Sequence, residues 1–293
     1  LEERAAARGR RDWAAADALR DRIHQLGWEP IDTASGSRAR PRLASAPAAA
    51  GYARPEDVVS LLDEPPSLAA TLVVVAEDHP ADLDRFLAGM ERHPPAVAWE
   101  LVVVANAPAA PPPAPAGLPV SILPATTRLG WADAVNLGLR RSRGAVSVLV
   151  DTSLEPVGDW LSPLLAAFAD EGVGVAGPWG VRSRDGRQFD EAPAGPVDAV
   201  EAYCLAIRRE ALRSVGGIDH RFRFYRNADL DLSFAVRDAG WRAVRTEPLA
   251  LVRHQHRGWT ALRPEERDRL SRRNFYRFLK RWGARRDLLS GRS

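Results

Sequence analysis

Two runs, ATLVVVA at 70–76 and WELVVVA at 99–105, restrict this 293-residue chain to few folds. Both are almost wholly apolar instead of alternating, the pattern of a strand covered on both faces. Between them Leu83, Phe86, Leu87 and Met90 recur on one face of a helix predicted over 82–92. A proline-rich loop (108–119), a short strand VSIL (120–123), a helix over 131–141 and a strand AVSVLV (145–150) continue the alternation up to Asp151. This β-α-β-α order predicts an α/β domain, a mostly parallel sheet flanked by helices. Ligands of such sheets bind beyond the carboxyl ends of the strands. The polar residues at those ends are Glu77, Asp78, Asn106, Asp151 and Thr152, expected along one rim.

The second informative stretch is 216–254, GGIDHRFRFYRNADLDLSFAVRDAGWRAVRTEPLALVRH. Gly216 and Gly217 permit a left-handed backbone. Phe222, Phe224 and Tyr225 then precede Arg226, Asn227 and Ala228, and Asp229 and Asp231 open an amphipathic helix with Leu232, Ala235, Val236 and Ala239 at helical spacing. Gly240 closes it. Asp229 reads either as the cap of that helix or as a general base in a cleft walled by aromatics. Asp231, two residues on, faces elsewhere on a helix. The less regular segment 178–210 predicts a loop and then a strand, with Tyr203 and Cys204 lining a site or the core. Residues 255–259 hold His256, Arg257 and Trp259, the last placed either to stack on a ligand or to pack.

Composition narrows the class. A single cysteine, Cys204, excludes an internal disulfide framework and a cysteine-built zinc site. No apolar run approaches the ~18 residues of a membrane span, and no signal-peptide pattern is read, so a cytoplasmic protein is expected. The net charge of +3 is mild, and its arginine bias gives little support to nucleic-acid binding. Residues 1–38 read as a helical appendage: Asp12 caps a helix bearing Trp13, Ala16, Leu19, Ile23 and Leu26, and Gly27 closes it. Residues 39–66, rich in Ala, Pro, Ser and Arg, read as a linker within which 55–62 forms a helical turn or two. The main domain spans 67–260. Residues 261–293 form a basic helical segment starting at Pro264, with Leu270, Phe275, Phe278, Leu279 and Trp282 on its apolar side. Packing on the domain is its favoured role, with peripheral contact to the inner face of the membrane as an addition.

Two resemblances follow from quoted residues. Residues 1–38 resemble the C-terminal end of cysteinyl-tRNA synthetases through Ala7-Arg8, Arg11-Asp12-Trp13, Ala16-Asp17, Leu19-Arg20-Asp21, Gly27, Asp32 and Gly36. The nucleotide motifs and zinc cysteines of those enzymes are absent from the chain, so a packing or docking module is favoured over a tRNA contact. Residues 67–254 resemble the family 2 glycosyltransferases of the GT-A (Rossmann-like) fold. Gly130, Asn136, Gly138, Gly144, Asp151 and Pro156 match the donor half in order and spacing. Gly216, Gly217, Asp219, Phe222, Asp229, Asp231, Leu232, Arg237, Gly240 and His254 match the acceptor half.

That resemblance implies inverting transfer of a sugar from a nucleoside-diphosphate sugar to a glycan or lipid-linked saccharide of the cell envelope, as in polysaccharide biosynthesis. It implies Asp229 as general base and Asp151 as the first acid of a D-x-D motif holding Mg²⁺ or Mn²⁺, with His254 near the metal. Glu77, Asn106, Arg128, Gly130, Asn136, Asp151 and Thr152 are expected at the donor, and Tyr225, Arg226, Asp231 and Trp259 at the acceptor. The chain departs from the family at Ser153, where a second motif acid is usual, and at Ala228, where an acid precedes the base. Those departures motivate an alternative, a catalytically degenerate sugar-nucleotide or glycan-binding relative. Residues 1–38 motivate another, a tRNA-associated accessory protein.

Overall fold

The computed structural model describes residues 2–10, 12–25, 28–33, 36–41, 51–106 and 117–290. The N-terminal unit begins with helices α1 (Glu2–Gly9) and α2 (Trp13–Gln25), the second capped by Asp12, whose carboxylate accepts the amide of Ala15 at 3.1 Å. Leu26 and Gly27, expected to finish that helix, lie outside the described residues. The unit is not wholly helical as expected: β1 (Trp28–Thr33) pairs antiparallel with β2 (Gly36–Pro41). Pro30 supplies the reason, since it has no amide to continue a helical ladder.

The main domain follows the predicted alternation closely. In order it contains β3 (Leu68–Ala76), α3 (Pro80–Arg92), β4 (Trp99–Ala105), β5 (Val120–Pro124), α4 (Trp131–Arg140) and β6 (Gly144–Val150). The proline-rich loop falls mostly outside the described residues. Next come β7 (Leu154–Pro156), α5 (Leu161–Ala166), β8 (Val173–Gly177), β9 (Gly180–Arg182), β10 (Asp190–Glu191), β11 (Gly195–Val197), β12 (Ala199–Val200) and β13 (Cys204–Arg208). The chain continues through α6 (Arg209–Val215), α7 (Ala228–Asp238), β14 (Arg242–Arg245), β15 (Leu251–Arg253), α8 (Arg257–Thr260) and α9 (Pro264–Trp282).

The central sheet runs β11-β14-β8-β13-β6-β3-β4-β5. β3 is parallel to β4 and β6, β4 to β5, and β8 to β14. β13 reverses direction between β6 and β8, and β11 pairs antiparallel with β14. Alternate residues of the apolar strands enter opposite layers. Leu72, Val74, Leu101 and Val103 pack with Phe86 and Met90 of α3, while Val73 meets Val135 of α4 and Val102 and Val104 meet Leu137 of α4. Each such side chain contributes about 1.5–3 kcal/mol by leaving water. Both faces are therefore spent on the core, and only the strand ends remain for chemistry.

One expectation about the flanks changes. Residues 51–66 are not a free linker: Tyr52 bridges to Ala125, Val58 is buried against Val102 and Leu137, and Arg140 donates to the Val58 carbonyl at 3.0 Å. Composition signalled a linker, but Val58 is an apolar anchor that composition averages away. The 3₁₀ turn Pro55–Asp57 is the part of 55–62 that coils. At the other end α9 starts at Pro264 and packs Phe278 and Trp282 against Leu230, Phe234 and Ala235. No helix among the described residues is long and apolar enough to cross a membrane.

Candidate active site

The carboxyl ends of β3 and β6 open into a cleft of about 380 Å³ lined by Glu77, Asp78, Arg128, Asp151, Thr152, Tyr225 and His256, among others. That volume suits a small-molecule ligand. On one wall Arg128 is closed onto Asp78 at 2.7 Å and Glu77 at 3.2 Å, and the hydrogen bond it donates to Asp78 leads the causes that raise its pKa. Asn106, expected at the donor, is instead wholly buried behind this wall. Its side chain donates to Glu77 at 2.8 Å and accepts the amide of Leu129 at 2.8 Å, so it positions Glu77 and the Leu129 backbone.

Gly130 and Asn136 are likewise behind the cleft and not in it. Gly130 caps α4, and a Cβ there would press within 3.1 Å of the Arg223 backbone. Asn136 donates to the Ile218 carbonyl at 2.6 Å and accepts the Ile218 amide at 2.9 Å. It thereby staples the Gly216-Gly217 turn, whose φ values of 76° and 101° require glycine. A Cβ on Gly217 would meet Asn136 Oδ1 at 2.6 Å. The motif residues of the two halves are joined here by packing.

Asp151 ends β6. Its Oδ1 accepts the Ser153 amide at 2.8 Å, and its Oδ2 lies 3.2 Å from His256 Nε2. Burial alone would lift the Asp151 carboxyl, but the His256 hydrogen bond and charge outweigh it and hold the pKa below the ordinary value. Conversely, burial works against a charged His256, yet Asp151 raises its pKa. His254, the histidine expected near the metal, turns away. Its backbone amide bonds to the Ser153 carbonyl at 2.8 Å, extending the antiparallel pairing of β15 with β7. That register delivers its ring to Glu155 at 2.8 Å, and Glu155 also binds Arg92 at 2.7 Å. His256 is therefore the histidine that faces Asp151.

A hard divalent ion draws on oxygen donors, and Mg²⁺ is often held by one carboxylate together with substrate phosphates. Among the described residues no three His, Cys, Asp or Glu converge to hold an ion. Asp151 and His256 form a two-residue donor set that fits such an ion if the diphosphate completes it. Ser153, where a second acid is usual, is buried with its hydroxyl unpartnered.

Asp229 is not the helix cap. Asn227 takes that position with a left-handed φ of 65°, and its side chain donates to the Ser271 carbonyl at 3.1 Å. Asp229 instead accepts the amides of Ala202 at 3.2 Å and Leu230 at 2.9 Å. Ala202 is on the cleft wall, so Asp229 stands directly behind that wall, at its junction with the region beyond. Burial pushes its carboxyl pKa up, and the two backbone amides and Arg226 only oppose this. Glu201, which sequence reasoning passed over, sits beside it: burial and the Asp229 charge raise its pKa as well. Nothing in the sequence marks Glu201 beyond an acid two residues before Tyr203.

Asp231 belongs to a different environment, against its expected place at the acceptor. It is buried, accepting Trp282 Nε1 at 2.7 Å and Arg281 at 2.8 Å, and so ties α9 to α7. The helical period that separates i from i+2 is the cause. Tyr225 lines the cleft, stacked on His256 with ring centres 4.6 Å apart. Phe224 and Trp259 extend this aromatic row outward, and Arg226 lies over Trp259 at 5.2 Å.

Comparison with known proteins places this geometry. Residues 74–250 match the family model described as Glycosyl transferase family 2. An uncharacterized protein, y4gI of Sinorhizobium fredii (strain NBRC 101917 / NGR234), is 30% identical over 177 residues, 50% of this chain and 19% of its own length. The chain thus spans about a fifth of that curated relative. Among solved structures, GalNAc-T7 with UDP, GalNAc and Mn²⁺ superposes with a TM-score of 0.59 at 13% identity, over 81% of this chain and 56% of that one. The mannosyltransferase PcManGT of Pyrobaculum calidifontis, in complex with GDP-Man and Mn²⁺, gives 0.48 at 21% identity, over 66% and 57%. The fold is that of GalNAc-T7, and with more than half its residues inside the family model, this chain belongs to glycosyl transferase family 2.

Proposed function

We propose that the domain transfers a sugar from a nucleoside-diphosphate donor in the cleft to a glycan or lipid-linked acceptor, with inversion at the anomeric carbon. The carrying observation is the opposite treatment of two carboxylates: Asp151 is held below its ordinary pKa and Asp229 above it. Environments that push two acids apart mark separate roles. Asp229 is the group suited to take the proton of the acceptor hydroxyl as that oxygen attacks the anomeric carbon. The bond to the diphosphate breaks, and the charge left on the leaving group falls to the His256 side of the cleft. Tyr225, stacked on His256, walls this space.

GalNAc-T7, whose structure holds UDP, GalNAc and Mn²⁺, motivates Mg²⁺ or Mn²⁺ here. A divalent ion, when bound, would be held by Asp151 and His256 and would neutralise diphosphate charge. The buried Ser153 and Ala228 support a second reading, a relative that binds sugar nucleotides without turnover. Calorimetric titration of UDP, GDP and dTDP with and without Mn²⁺, followed by transfer assays on Asp229→Asn, separates the two. Nucleotide binding with a transfer activity that collapses in the variant supports the transferase, binding without any transfer supports the second reading, and no binding defeats both. A tRNA role rests on the resemblance of residues 1–38 alone, and retention of tRNA by the full chain is its test. Peripheral membrane contact through α9 is an addition to this reading, tested by sedimentation with anionic vesicles.

A further inference from the structure

Beyond Asp229 the aromatic row carries guanidinium groups with no polar partner. Arg226 and Arg267 flank the ring of Trp259, each 5.2 Å from its centre. Arg253 lies 4.9 Å from the ring of Tyr203 and 5.4 Å from that of Trp179. Among the described residues none of these three guanidinium groups makes a hydrogen bond or ion pair. By contrast, Arg85 is bound to Asp82 at 2.8 Å, and Arg128 to Glu77 and Asp78. Arg226 and Arg253 both act on the titration of Glu201 and Tyr203, which places them in one neighbourhood.

Stacking fixes a guanidinium by its face and leaves the N–H donors at its edge free. Those donors match the paired oxygens of a carboxylate or phosphate. Glu201, Asp229, Glu191 and Asp151 act on this neighbourhood through charge, yet Glu191 is paired with Arg245 and Asp151 with His256, and none of the four bonds these three guanidinium groups. We propose that Arg226, Arg253 and Arg267, seated on Trp259, Tyr203 and Trp179, form an anion-binding ledge that selects an acceptor saccharide carrying a carboxylate or a phosphate. The proposal deepens the transferase reading, since it takes the Asp229 side as the acceptor side. The rings supply flat apolar faces for the sugar, and the guanidinium edges read its charge.

The test uses the full chain, by calorimetry and tryptophan fluorescence, with three probes: a galacturonic acid tetrasaccharide, a neutral galactose tetrasaccharide and a glycerol phosphate oligomer. At least one charged probe should bind about tenfold tighter than the neutral one, weakening as salt rises. The Arg226→Gln/Arg253→Gln double variant should lose about that factor, and Arg226→Lys/Arg253→Lys should recover part of it. Which charged probe wins decides between carboxylate and phosphate. Equal binding of the neutral probe, no binding of either charged probe, or an unchanged double variant that is folded by circular dichroism overturns the ledge. So does a loss that falls on UDP or GDP instead, because it would assign these arginines to the donor. Anion binding does not depend on turnover. If Asp229→Asn keeps transfer while the ledge variants lose the charged probe, the base assignment fails and the ledge stands.

Discussion

On the donor rim Arg128 closes onto Glu77 and Asp78, Arg85 onto Asp82, and Asp151 onto His256, whereas the guanidinium groups of Arg226, Arg253 and Arg267 lie on aromatic faces and bond no acid. The rim is an electrostatically closed set whose members hold each other in place before any ligand arrives. The second set keeps its charge unspent, with rigid rings in place of counter-ions. Paired charges position, and unpaired ones recruit. Asp229 stands at the boundary, with backbone amides as its donors and Arg226 as the nearby cation.

Several substitutions would break this contrast. The largest effect is expected from Asp229→Asn: transfer falls by about 10²- to 10⁴-fold while nucleotide affinity changes less than about twofold, measured by steady-state kinetics beside calorimetry. A mutant that still turns over normally removes Asp229 from the chemistry. Next is His256→Gln, which leaves Asp151 without its ion-pair partner. Nucleoside-diphosphate affinity should drop about 10- to 100-fold, the scale of a charge-assisted hydrogen bond. If His254→Gln causes the larger loss, the placement of the two histidines is reversed.

Asp231→Ala probes the region that packing claims. It strands Trp282 Nε1 and Arg281 and should cost about 1–3 kcal/mol in denaturant unfolding, with turnover per folded molecule kept. A change in acceptor affinity without lost stability would restore Asp231 to the acceptor side.

Acidity gives a finer measure. His256 has its pKa raised in the folded protein, so its charge, and the stability it contributes, is complete at low pH and lost as pH rises through the folded value. Asp151 is lowered, so its share is present above the ordinary carboxylate range and lost as pH falls through its folded value. Without a divalent ion, nucleotide affinity should therefore weaken on the alkaline side, above the usual imidazole range, and His256→Gln should flatten that limb; with Mn²⁺, which needs the neutral imidazole, the limb should be lost or reversed. Transfer should also have an acid limb above the ordinary carboxylate range, set by Asp229. The smallest expected effect is Arg128→Gln: because Arg128 is already paired and partly exposed, nucleotide affinity should shift less than about threefold. A larger shift would give it a direct part in holding the donor's phosphates.

How far the chain could be read in advance varied by residue. The second strand, 99–105, was legible to the residue, and Pro264 marked the start of α9. Tyr225, Glu77, Arg128, Asp151 and Thr152 do line the cleft. Asn106 falls at a strand end and Asn136 at a motif position, yet each hydrogen-bonds backbone behind the wall, a fact no spacing encodes. Glu201 and Arg253 carried no signal, since their meaning comes from Asp229 and Tyr203 beside them.

By itself the sequence determined the α/β class, the alternation of elements and the two carboxylates to watch, because apolar periodicity, prolines and glycines act on their own neighbourhood of the chain. Only the tertiary structure decided that His256 and not His254 faces Asp151, that Asp231 is locked beneath α9, and that the ledge arginines lack partners. Those outcomes depend on strand register and on contacts between distant segments, where one step along a strand or two along a helix redirects a side chain.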